Sequence, residues 1–259
     1  MSAELKATRH DATLILTLSN PGARNALHPD MYAAAIESFA NAERDDSVRV
    51  IVLTGADGIF CAGGNLNRLL ENRHRDMSDQ ADAIDHLHGW IEAIRHCTKP
   101  VIAAVEGAAA GAGFSLALAC DLVIAGNSTK FLMSYVKVGL TPDGGASWFL
   151  SQALPRQLAG EILLEGKAVL ASRLQQLGLV NRIVADGRVL DAALAWADEL
   201  AMQSPNSLKR IKSLLEAAPA NTLVQQCELE KINFIQSLHH RDSQEGISAF
   251  LEKRKPHYK

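Results

Sequence analysis

Along residues 48–54 (VRVIVLT) and 100–105 (PVIAAV) apolar positions run almost without interruption, the pattern of short strands covered on both faces. Residues 13–18 (TLILTL) and 121–125 (DLVIA) have the same character. Between these runs the spacing changes to that of a helix. Met31, Ala35, Ile36 and Phe39 share one face of 30–44, and Ile84, Leu87, Ile91 and Ile94 share one face of 78–96. The order β, α, β, α, β, α, β predicts parallel strands joined by right-handed crossovers. After about Gly187 helix succeeds helix, over 189–201, 207–216, 223–238 and 243–253. The pattern therefore predicts an α/β core over residues 1–187 and an all-helical region over 188–259. No Gly/Ser linker, internal repeat or low-complexity tract separates them.

Composition narrows the function classes. With 259 residues, 47% hydrophobic, 21% charged and a net charge of −3, the chain is globular rather than disordered, and it lacks the basic stripe of a nucleic-acid binder. The four cysteines, Cys61, Cys97, Cys120 and Cys227, show neither disulfide-scaffold nor zinc-cluster spacing, which favours a reducing cytoplasm. The N-terminal residues lack the pattern of a secretory signal, and no apolar run predicts a membrane span. The nine histidines form no metal-ligand spacing, and there is no Gly-x-Ser-x-Gly elbow, so neither a metal nor a serine nucleophile is expected.

Three segments are candidates for chemistry. Residues 58–66 (GIFCAGGNL) follow an apolar strand, and their paired glycines either turn a corner or let a ligand approach the main chain. Residues 106–115 (EGAAAGAGFS) join a strand to an apolar helix. Small residues there either pack the helix closely on the sheet or present free amides, at the positive end of the helix dipole, to a developing anion. The segment completes neither a P-loop nor a dinucleotide fingerprint. Residues 138–148 (VGLTPDGGASW) contain Asp143, the one acid between Asp121 and Glu161. Pro-Asp-Gly is a turn signal, yet a carboxyl among Leu140, Trp148, Phe149 and glycines is partly desolvated, with its pKa raised toward the range of a useful base.

Taken in order, residues 20–27 (NPGARNAL), 50–55 (VIVLTG), 60–66 (FCAGGNL), 99–107 (KPVIAAVEG), 120–121 (CD), 178–181 (GLVN) and 245–254 (EGISAFLEKR) resemble the crotonase superfamily, the enoyl-CoA hydratase/isomerase family, over nearly the whole chain. The resemblance implies a ClpP-like spiral of ββα units with a C-terminal helical trimerisation region, a homotrimer or hexamer, and a coenzyme A thioester as substrate, with no separate cofactor. It further implies that the Gly64 and Ala112 amides hold the thioester oxygen, where preorganised donors are worth about 3–4 kcal/mol each as charge develops. Arg24 and Ala26, with Ala62, Asn65 and Leu66, would hold the nucleotide and pantetheine, and Tyr135 would face the substrate. Asn65 replaces the family's usual Asp, and either residue caps a helix. The basic cluster Lys253-Arg254-Lys255 is a candidate partner for a CoA phosphate.

The departures from the family pattern decide the expected reaction. Where a typical hydratase of this family carries two glutamates, this chain has Ser115 and Tyr135. Neither replaces a carboxylate in syn addition of water. The stretch 139–143 (GLTPD) is instead similar to the enoyl-CoA isomerases of phenylacetate-type ring degradation, in which one aspartate shuttles a proton. That makes Asp143 the candidate catalytic residue. The alternatives are hydration or oxepin-type ring hydrolysis, dehalogenase-like nucleophilic substitution at Asp143 with His88 as base, and a non-catalytic scaffold or RNA-binding relative.

Overall fold

In the computed structural model, which describes residues 3–258, strand β1 (Glu4–His10) pairs along its whole length with β2 (Thr13–Ser19) in an antiparallel hairpin. This first strand escapes the hydrophobic pattern because it is an edge strand and largely exposed. From β2 onward the sheet is parallel. It continues through β3 (Val50–Gly55), β4 (Val101–Val105), β6 (Leu122–Gly126) and β9 (Arg182–Val184), in the order β1-β2-β3-β4-β6-β9. The expectation of parallel strands thus holds for the four strands read from the sequence and fails for the hairpin before them. A second sheet of three-residue strands, β5 (Ala108–Ala110), β7 (Lys130–Leu132) and β8 (Ala168–Leu170), stands beside the first in the order β5-β7-β8.

Alternation along the central strands divides the core. Ile51 and Leu53 of β3 and Val101, Ala103 and Val105 of β4 face α1 (Pro29–Arg44) and α3 (Met77–His96). Val50, Val52, Ile102, Ala104 and Ile124 face the other way, onto Val189, Ala193, Trp196 and Ala197 of α8 (Val189–Ala201). Burial on both faces explains why these strands are apolar at successive positions. Short helices complete the core: α2 (Leu66–Asn72), α4 (Ala112–Ala119), α5 (Ala146–Ala153), α6 (Arg156–Glu165) and α7 (Ala171–Gln176).

The last helices, α9 (Pro205–Ala217), α10 (Leu223–Leu238) and α11 (Arg241–Leu251), are set by local signals. Ser204 caps α9, and Thr222 with Gln225 forms a capping box on α10. Two ion pairs tie α9 to the core. Lys212 meets Asp121 at 2.6 Å and also donates to the Ile94 and Lys99 carbonyls, while Glu216 pairs with Arg95 of α3. Burial pushes the Asp121 carboxyl up, and Lys212 opposes that shift. The apolar faces of the helical region (Leu194, Trp196, Leu200; Phe234, Ile235, Leu238) suggest an oligomer surface from the sequence alone, and the structure corrects this for the first three, on α8. Trp196 is buried against the sheet, and Leu194 and Leu200 pack beside it. By contrast Phe234, Ile235 and Leu238 of α10, with Phe250 and Leu251 of α11, are exposed. All four cysteines are free thiols; Cys61, Cys97 and Cys120 are buried and Cys227 is exposed.

Asn25 anchors the loop before α1 to the loop after β3. It is buried at φ 56°, accepts from the Asn20 amide at 3.0 Å, and donates to the Ala56 and Ile59 carbonyls at 2.8 and 2.6 Å. Asn25→Ala strands these buried groups and places Cβ in left-handed backbone without a compensating side-chain bond, so we expect a loss of about 2–4 kcal/mol. Asn25→Gly, which relieves only the backbone strain, should lose less. Denaturant midpoints at unchanged m-value measure both.

Candidate active site

The loops leaving β3 and β4 emerge at the same end of the parallel sheet, where such folds place their ligands. They are hydrogen-bonded to each other: Cys61 N–H donates to Ala108 O at 3.0 Å, and Ala110 N–H donates to Cys61 O at 2.8 Å. A Cβ on Gly63, at φ 86°, would lie 2.5 Å from the Ala110 oxygen and 3.5 Å from the Ala112 nitrogen. One on Gly113 would lie 2.6 Å from Cys61 Cβ. Glycine is therefore required by the approach of one loop to the other.

This approach brings the two expected amides together. Leu27 bridges Gly64 in parallel fashion, with Leu27 N–H bonded to Gly63 O at 2.8 Å. In such a bridge the residues flanking Gly64 make the bonds, so its own N–H points away from Leu27. Ala112 is the first residue of α4, where backbone N–H groups have no helical acceptor. Among the described residues neither amide donates to a protein acceptor. Both are free to donate to a bound oxygen atom.

Asp143 completes the arrangement. Its carbonyl accepts from Ser115 Oγ of α4 at 2.9 Å, and its carboxylate oxygen Oδ1 accepts from Tyr135 Oη at 2.5 Å. Tyr135 lies in a 3-10 turn, Ser134–Val138, with its ring against Gly111; a Cβ there would be 3.2 Å from the phenolic oxygen. Burial raises the Asp143 pKa above the ordinary carboxylate range, while the Tyr135 hydrogen bond and the His88 charge oppose it. Burial also raises the Tyr135 phenol, helped by the Asp143 charge, so Tyr135 stays a proton donor.

Asp143, Tyr135, Gly64, Ala62 and Leu66 line one cleft of about 470 Å³. Ala112 adjoins it through Gly111. Asn65 lies at the head of α2 and caps it, accepting from Asn67 N–H at 3.0 Å and Arg68 N–H at 3.2 Å. Arg24 and Ala26 are not brought into the cleft. The Arg24 carbonyl accepts from Ala62 N–H at 3.0 Å behind the loop, and Ala26 is buried. His88 is exposed on α3 and also outside the lining. Arg254, in the C-terminal basic cluster, is held by Glu245 at 2.7 Å and Glu252 at 2.7 Å. From the sequence, the helix over 78–96 and its polar approach 71–76 are expected to line the acyl pocket, and Arg73, Arg75, Asp76, Gln80 and Ile84 of that stretch do line the cleft. Leu69 is the lining residue that sequence reasoning missed; its signal was Asn65 before Leu66-x-x-Leu69, a cap followed by helical spacing. Among the described residues no group of His, Cys, Asp and Glu could hold a metal ion, and no helix is long and apolar enough to cross a membrane.

Residues 8–259 match the family model described as enoyl-CoA hydratase/isomerase. The chain is 36% identical over 246 residues to the 1,2-epoxyphenylacetyl-CoA isomerase of Escherichia coli K12, covering 95% of this chain and 94% of that protein. It is 34% identical to the 2,3-dehydroadipyl-CoA hydratase of the same organism, covering 99% of each. A crystal structure of an enoyl-CoA hydratase from Polaromonas sp. JS666 superimposes with a TM-score of 0.98 at 53% identity, covering 99% of this chain and 100% of that one. With the match spanning the interlocked loops, the spiral core and the helical end alike, this chain belongs to the enoyl-CoA hydratase/isomerase, or crotonase, family.

Proposed function

We propose that the protein moves a double bond in an unsaturated acyl-CoA, with Asp143 as the single acid and base. The observation that carries this reading is the count of usable carboxylates in the cleft. Asp143 and Asp76 line it, and Asp76 is committed to capping α3, accepting from Ser78 N–H at 2.9 Å and Ser78 Oγ at 2.8 Å. Those hydrogen bonds hold the Asp76 carboxyl below its usual range, so it is no proton donor near neutrality. Gly64 and Ala112 would stabilise the enolate, Asp143 would take the α proton, and the same carboxyl would return it at the γ carbon. Hydration needs a second acid or base. The two positions that would supply it hold Ser115 and Tyr135, both of which bond to Asp143 instead.

The binding side of the proposal follows the same lines. CoA is substrate rather than cofactor, and Arg24 and Ala26 would meet its nucleotide end outside the acyl cleft. Free thiols throughout favour a reducing cytoplasm as the place of action. The exposed apolar side chains of α10 and α11 favour a homotrimer or a hexamer.

Asp143→Asn should lower double-bond migration by about 10²–10⁴-fold, the range of general acid–base catalysis, with acyl-CoA affinity retained. Because the folded pKa of Asp143 is raised, its ionised form lowers stability as pH rises from the ordinary carboxylate value through the folded one. The Asn variant should therefore match or exceed the wild-type melting temperature at neutral pH. Brisk hydration of crotonyl-CoA by a wild type that moves no double bond would refute the assignment.

Tyr135→Phe removes a bond to the charged carboxylate and should raise the Asp143 pKa further, moving the acidic limb of the kcat/KM profile to higher pH. An unmoved limb would show that Tyr135 does not bond to the catalytic carboxylate. Light scattering at micromolar concentration should return three or six times the chain mass.

A further inference from the structure

The cleft has a second chemical feature, at the end of α2. Arg73 follows the last residue of that helix and Arg75 lies two residues on; both are exposed and both line the same cleft as Asp143. Among the described residues neither guanidinium has a hydrogen-bond or ion-pair partner, and the acid beside them, Asp76, is engaged with Ser78. The wall that these arginines share with Gly64 carries the aliphatic Leu66 and Leu69 of α2 and Ile84 of α3, with Asn72 and Gln80 satisfied by their mutual hydrogen bond at 3.0 Å. A route that begins at paired amides, crosses aliphatic side chains and ends at two unpaired cations is complementary to a chain with an anion at its far end.

We infer that the acyl group taken by this site carries a terminal carboxylate, bound by Arg73 and Arg75. The inference rests on the reading of the cleft as an acyl-CoA site. Guanidinium groups match carboxylates in a two-pronged geometry that lysine lacks. Length agrees with this assignment. The seven residues of α2 span about 10 Å at 1.5 Å per residue. An extended chain advances about 1.2 Å per bond, so an eight-carbon chain covers about 8 Å of that distance from a thioester carbonyl at Gly64, and the arginine side chains reach over the rest. A phosphate of CoA is the other anion that could meet these side chains. Arg24 and Ala26, expected at the nucleotide end, lie outside the cleft, whereas Ala62 and Leu66, expected beside the pantetheine, line it with Arg73 and Arg75, so the free-CoA arm of the experiment separates the two anions.

Saturated thioesters test this without turnover, so the result does not depend on whether Asp143 moves a double bond. Calorimetry with octanedioyl-CoA, octanoyl-CoA and free CoA should show the first binding at least tenfold tighter than the second. The double variant Arg73→Gln/Arg75→Gln should erase that preference and leave octanoyl-CoA within about twofold of wild type. Equal affinity of the wild type for the two thioesters would overturn the inference while leaving the acyl-CoA reading intact. So would a variant that weakens both thioesters and free CoA alike, since the arginines would then hold a phosphate of CoA. Failure of the wild type to bind any of the three would overturn the acyl-CoA reading and this inference with it.

Discussion

The approach of Gly63 to the Ala110 carbonyl, closer than any side chain permits, is the contact on which the remaining site geometry is built. It holds the loop after β3 against the loop after β4, and Gly113 does the same from the other side by lying on Cys61. From there the order propagates by hydrogen bonds. The second loop opens α4, α4 carries Ser115, and Ser115 grips the Asp143 main chain, while Gly111 supports the Tyr135 ring that holds the carboxylate. The parts of the site are separated in sequence by about the length of a ββα unit. In space they form one continuous set of contacts.

Two opposed electrostatic demands meet in this small volume. Unpaired amides at the head of α4 favour negative charge on a bound oxygen, and the half-buried Asp143 has its own charge disfavoured. Neutral side chains at Ser115 and Tyr135, where the resemblance expects a hydratase's acids, reconcile these demands. Additional carboxylates there would repel Asp143 and raise its pKa further, whereas the Tyr135 phenol donates to its carboxylate and the Ser115 hydroxyl to its main-chain carbonyl. The replacement of both acids is thus one coherent change in the site rather than two independent losses.

Much of this was legible in the sequence because the signals were long or redundant. The apolar runs of β3 and β4 and the one-sided spacing of α1 and α3 located the core to within a few residues, and the glycine loops fell where the strands end. The strands β5, β7 and β8, three residues each, carry too little pattern to detect, and their pairing is fixed only by the loops they support. Trp196 was misread because a helix's apolar stripe does not declare its partner, which here is the far face of the sheet. Asp143 was legible through its isolation among apolar neighbours. The stretch 71–76 was legible as the polar approach to the acyl pocket, but its two arginines were not singled out, since exposed arginines in a polar stretch look the same whether or not they face a cavity.

The burial of the thiols has a practical corollary. Cys61 lies within the first glycine loop, against Gly113 of the second, and Cys97 at the end of α3, and burial pushes each up to about 12; Cys120, at the end of α4, is pushed higher still. Thiol reagents act on the thiolate, so these three are chemically silent in the folded protein. Cys227 on α10 is the one exposed thiol among the four. Without any engineering, the native chain therefore offers a single attachment point for a fluorophore or spin label, located on the helix that carries the exposed Phe234, Ile235 and Leu238.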